Sequence, residues 1–113
     1  MSSQAKQVVT PFRMTPRVAE AKIHELAKNS SNVIWGGHCV ERSEQRDITL
    51  QDALSILRTG IVVDCPEAGK LPGEWKAKIV KNIRGNRDAG VVTIIMTKQG
   101  MLKIKTVEWE DLP

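Results

Sequence analysis

The sequence has no tyrosine, one phenylalanine and two cysteines, and each shortage removes a class of reading. Cys39 and Cys65 stand far apart, with no CxxC pair and no paired histidines, so they make neither a zinc site nor a disulfide framework. Both are expected as buried or half-buried thiols of a reducing compartment. Without tyrosine, proton transfer has to be built from other side chains. No apolar run approaches the roughly 18 residues needed to cross a bilayer, so no membrane association is expected. The opening residues "MSSQAKQVVTPFRM" lack the apolar stretch of a secretory signal, and a cytoplasmic location is the expectation. Gly36-Gly37 has no GK[ST] or GxGxxG pattern around it and resembles no phosphate loop. No internal repeat or low-complexity segment is visible, and nothing calls for a cofactor or a metal.

What is present is a globular composition, 41% hydrophobic and 27% charged over 113 residues. A chain of this length fits one domain, which buries roughly two-thirds of the surface its unfolded chain exposes. Residues 1–14, polar and interrupted by Pro11, read as a flexible arm, and 15–113 as a single domain. The net charge of +4 is unevenly spread. Between residues 75 and 105, eight Lys and Arg face a single acid, Asp88. Two readings stay open: a solvated sheet face whose lysines discourage edge-to-edge pairing, or an electrostatic footprint for a polyanion. The acidic cluster Glu108, Glu110 and Asp111 is placed to pair with part of that stripe.

The first helix is expected to start after Thr15 as N-cap, with Pro16 at the first helical position. Ala19, Ile23, Leu26 and Ala27 then form its buried stripe. "KNSSN" ends it in turn formers. A second helix is expected over His38–Arg46. Thr49 opens a third through a capping-box pattern with Asp52, Ala53, Ile56 and Leu57 supply the apolar face, and Gly60 is expected as a left-handed stop. From residue 61 the period changes to two. "IVVDC", "EWKAKIVKNI", "VVTIIMT" and "LKIKTVEW" read as four strands of a mainly antiparallel sheet, joined by a "GNRDAG" hairpin and a "KQGM" turn. Trp75, Ala77 and Ile79 share one face of the second strand. In the last strand, Leu102, Ile104 and Thr106 are set against Lys103, Lys105 and Val107. Helices followed by this sheet make the fold α+β. The three tryptophans belong to the core or its rim, with base stacking by one of them as the alternative.

"HCVERSEQR" (38–46) holds the most pointed pattern. Steps of four residues drift about 40° on a helix, so His38, Arg42 and Arg46 share one face over roughly 80°. Glu41 and Glu44 are spaced to point elsewhere, which leaves two cations and an imidazole stacked without a counter-charge on the helix. Like charges at i, i+4 cost a few tenths of a kcal/mol, so compensation is expected from off the helix. Either a sheet-side carboxylate such as Asp64 or an external anion would serve. His24, by contrast, reads as a surface or partly buried residue of the first helix.

The stretch "HCVERSEQRDITLQDALSILRTGIV", with the later "TVEWED", resembles a family of small bacterial domains of unknown function. Its signature is a histidine, arginines four and eight residues on, an isoleucine, a capped helix and a glycine. That family is similar in layout to the RelE-like and BrnT-like toxins, in which helices precede a small antiparallel sheet that handles RNA. The resemblance covers about residues 33–110. Gly36, Cys39 and Asp47 depart from the pattern; Asp47 is placed to neutralise Arg46. The resemblance implies metal-independent RNA cleavage, with His38 as acid or base, since free imidazole titrates near neutrality. Arg42 and Arg46 would clamp the phosphate, and Lys76, Lys78, Arg84, Lys103 and Lys105 would track the backbone. The partners it implies are RNA and an antitoxin protein. A second acid or base is missing from this set, because His24 is distant in sequence. The alternative is a non-catalytic module of the same fold that binds nucleic acid or protein.

Overall fold

The structure is a computed structural model that describes residues 13–111. Most of the expected arm therefore lies outside the described residues, and Met14, at its end, is buried in the core. Three helices and six strands follow in the order α1 (Pro16–Ala27), β1 (Val33–Trp35), α2 (Gly37–Arg46), α3 (Leu50–Thr59), β2 (Ile61–Val62), β3 (Glu67–Ala68), β4 (Glu74–Ile83), β5 (Arg87–Met96) and β6 (Met101–Trp109). The fold is α+β, but the sheet has six strands rather than four. Its order is β1-β6-β5-β4-β2, with β3 also paired to β4 and β1 running parallel to β6. The two strands that sequence did not reveal, β1 and β3, are three and two residues long, too short to show an alternation.

The helix starts follow local chemistry. Thr15 Oγ1 accepts from Val18 N at 3.1 Å, with Pro16 at the first helical position. At α3 the Thr49 hydroxyl accepts from Asp52 N while the Asp52 carboxylate accepts from Thr49 N, both at 2.9 Å. Gly60 is not the left-handed stop that its position suggests. Its φ is −78°, and what it supplies is room. A Cβ there would stand 2.6 Å from Ile56 O and 2.8 Å from Val80 O. The left-handed cap lies instead at Asp47, with φ 55°, at the end of α2.

Helices α1 and α3 pack on each other; α3 covers β4 and β5, α1 reaches β2, β5 and β6, and α2 lies along β6. The covered face carries Ala77, Ile79, Val91, Thr93, Ile95, Leu102 and Ile104, all buried. Burying each of the larger apolar side chains contributes about 1.5–3 kcal/mol, and truncating Ile104 to alanine would cost about 2–5 kcal/mol. Beyond Ile104 the inward set of β6 shifts. Val92 pairs with Thr106 but Thr93 pairs with Ile104, so Lys105 is an extra residue on β6. This β-bulge turns Val107 and Trp109 inward in place of Thr106. A bulge displaces the alternation by one residue, which a strict period of two does not anticipate. The same shift leaves Lys105 and Thr106 together on the open face.

Candidate functional site

The open face of the sheet carries Lys76 and Lys78 on β4, Val92 and Ile94 on β5, and Lys103, Lys105, Thr106 and Glu108 on β6. Helix α2 forms its rim. At Gly36 the chain closes on β6: Gly36 N donates to Ile104 O at 3.2 Å, and a Cβ there would meet that oxygen at 2.8 Å. At the other end of α2, Arg46 Nη1 donates to Val107 O and Trp109 Nε1 donates to Arg46 O, each at 2.7 Å. The Arg87 guanidinium stacks 4.0 Å over the Trp109 ring and pairs with Asp111. Held at both ends, with Cys39 and Ser43 buried, the helix turns His38, Arg42 and Arg46 toward the open face.

A hollow of about 490 Å³ lies between them, lined by His38, Arg42, Arg46, Lys76, Val92, Lys105, Thr106 and Glu108. A second hollow, of about 450 Å³, shares Lys76 and Lys105 with it and adds Lys70, Lys103 and Ile94, with Glu67 and Glu74 at its edge. The pair makes one shallow groove with an apolar floor from β5 and walls in which Lys and Arg outnumber the carboxylates Glu67, Glu74 and Glu108. Thus the fold gathers His38, Arg42, Arg46, Lys76, Lys103 and Lys105 on a single surface, although the helix and the sheet lysines are 30 to 67 positions apart in the chain.

The basic residues divide into two groups. The side chains of Lys76, Lys103 and Lys105 are exposed and have no hydrogen-bond or carboxylate partner among the described residues. Arg42 donates to the neutral Gln45 Oε1 at 3.0 Å. Arg46 is held by a backbone carbonyl, so neither arginine is neutralised. Lys78 and Arg84 differ. Lys78 Nζ sits 2.8 Å from Glu110 and 3.2 Å from Glu108, and Glu110, followed by Glu108, raises its pKa against the opposing pull of partial burial. Arg84 lies at the β4–β5 hairpin, away from the groove, where it pairs with Asp52 at 2.6 Å and also reaches the side chain and backbone carbonyl of Asp47. Asp47 therefore faces Arg84, not Arg46.

Three other expectations change. Glu41 does not point away from His38: its Oε1 lies 3.7 Å from His38 Nδ1, a reach of three residues along the helix. Asp64 lines a neighbouring hollow that shares Lys76, Val92 and Glu108 with the main one but includes neither arginine. Cys65 is exposed, whereas Cys39 is buried and burial pushes its thiol up to about 11. His24 is structural, with Nε2 2.8 Å from Gly60 O. The acidic member of the main hollow, Glu108, is the residue that sequence reasoning left out of the site. Its only sequence signal was membership of an acidic cluster assigned to pair with the basic stripe.

Among the described residues, no three His, Cys, Asp or Glu side chains gather as they would to hold a metal ion, and no helix is long and apolar enough to cross a membrane. No family model, no curated protein and no solved structure matches the chain.

Proposed function

We propose that the groove binds RNA and that the hollow under α2 cleaves it without a metal ion. One observation carries this reading: an exposed imidazole and four cations that no carboxylate neutralises, Arg42, Arg46, Lys76 and Lys105, converge on one hollow. Cations left unpaired around a concavity are what a phosphodiester needs. Its charge grows at the non-bridging oxygens in the transition state, and guanidinium groups bind that geometry bidentately. The histidine supplies a proton carrier. The lysines of the second hollow would hold neighbouring phosphates, a sequence-independent and salt-sensitive contribution. Among the described residues no Trp or Phe lines either hollow, so base stacking by a tryptophan has no part in the reading.

On this account the chain is a ribonuclease of toxin type, working in the cytoplasm and restrained by a protein antitoxin that covers the groove. The second reading is a module that binds nucleic acid, or a protein, without cutting. The partnerless lysines favour it equally, and His38 separates the two. The test is incubation of purified protein with end-labelled RNA in the presence of a chelator. Wild type should cleave, and His38→Ala should bind with similar affinity but cleave at least a hundredfold more slowly. Binding without cleavage by both proteins would select the module.

A further inference from the structure

A phosphate cradle has no use for a carboxylate, yet Glu108 lines the same hollow as His38, Arg42 and Arg46. Its position is built by its neighbours. Lys78 reaches two carboxylates and lies closer to Glu110, at 2.8 Å, than to Glu108, at 3.2 Å. Gly90 makes that arrangement possible, since a Cβ there would stand 2.7 Å from Glu110 Oε2 and 3.2 Å from Lys78 Cδ. One ammonium thus serves two carboxylates, and the trio carries a net negative charge. Glu108 Oε2 takes the lysine, and its other oxygen has no protein partner among the described residues.

We propose that Glu108 is the second proton-transfer group of this site, the general base that complements His38. The inference rests on the ribonuclease reading above. In the step, the Glu108 carboxylate takes the proton of the ribose 2′-hydroxyl as its oxygen attacks the adjacent phosphorus. The phosphorus–O5′ bond breaks, and protonated His38 gives its proton to the departing 5′ oxygen. The products are a 2′,3′-cyclic phosphate and a 5′-hydroxyl end, and no water is consumed. Arg42 and Arg46 hold the non-bridging oxygens. The charged groups around Glu108 are Lys78 and Lys76 from β4, Lys105 from its own strand, Glu110 just past the end of that strand, and the α2 arginines with His38. Asp64 and Glu67 approach from the segment after β2.

The test compares wild type with Glu108→Gln, which keeps the shape and a hydrogen-bond acceptor for Lys78. Cleavage rate and RNA affinity are measured across pH. Wild type should give a bell-shaped kcat/KM profile, whose acid limb belongs to Glu108 and whose alkaline limb belongs to His38. Glu108→Gln should lose the acid limb and fall about a hundredfold or more in kcat. It should also bind RNA as tightly as wild type or more tightly, since a negative charge leaves a cationic hollow. A merely structural Glu108 would not produce that split. Wild-type cleavage with an unchanged rate and acid limb in Glu108→Gln overturns this inference alone. Absence of cleavage by wild type overturns the ribonuclease reading and this inference with it.

Discussion

The division of basic residues into paired and unpaired groups makes a quantitative prediction for salt. Each phosphate neutralised on a single strand adds about 0.7 to the slope of log affinity against log salt. Arg42, Arg46, Lys76, Lys103 and Lys105 face the groove without a neutralising carboxylate, so RNA binding should show a slope of roughly −3.5. Affinity should then fall about a hundredfold between 50 and 200 mM salt. Lys76→Ala should weaken binding and flatten the slope by about 0.7. Arg84→Ala should leave the slope unchanged, because Asp47 and Asp52 already hold that charge. Lys78→Ala should also leave it unchanged, given Glu108 and Glu110. Fluorescence anisotropy with a labelled oligonucleotide at five salt concentrations measures all four proteins. If Arg84→Ala flattened the slope as much as Lys76→Ala, the division of charges would be wrong and the groove would not be the binding surface.

The remaining predictions concern the scaffold. Gly60→Ala should destabilise by about 2–3 kcal/mol in urea unfolding, because its Cβ would press on two backbone oxygens; a cost below about 0.5 kcal/mol would refute that crowding. Native protein should expose one thiol to a disulfide reagent, Cys65, and release Cys39 only on unfolding; labelling of both at equal rates would contradict the packing of α2. Partial burial tends to raise the Asp52 pKa, but hydrogen bonds from Thr49 and the charge of Arg84 outweigh it, so the net shift is downward. A depressed native pKa adds stability above the unfolded value of about 3.9 and loses it as pH falls through the native one. Asp52→Asn should therefore cost about 1 kcal/mol at neutral pH, and the difference should close below about pH 3. A constant difference down to pH 2 would contradict the role assigned to that carboxylate.

The parts of the fold legible in the sequence are those set by neighbours in the chain. Thr15 with Pro16, and Thr49 with Asp52, announce helix starts because a cap is satisfied within three residues. Trp75, Ala77 and Ile79 announce their face because β4 keeps its period. The stack of His38, Arg42 and Arg46 is legible for the same reason, being a property of one helix. What distant pairing decides was not legible. The bulge at Lys105 exists only against β5, and it exchanges Thr106 for Val107 in the core. Arg84 looks like any other cation of a basic stripe until the hairpin brings it to Asp47 and Asp52. Gly60 looks like a helix stop until β4 passes behind it. Glu108 belongs to the site only because Lys78 and the rim helix meet at β6, a placement no local spacing encodes.

The central claim, that the hollow under α2 acts on RNA through His38, is tested most directly in a bacterial host. Wild type and His38→Ala would be expressed from an inducible promoter while growth and total RNA integrity are followed together. The account predicts growth arrest with loss of intact RNA for wild type, and neither for His38→Ala at equal protein levels. Arrest and RNA loss of the same extent in both strains would contradict the role of His38. Intact RNA with normal growth in both would contradict the ribonuclease itself.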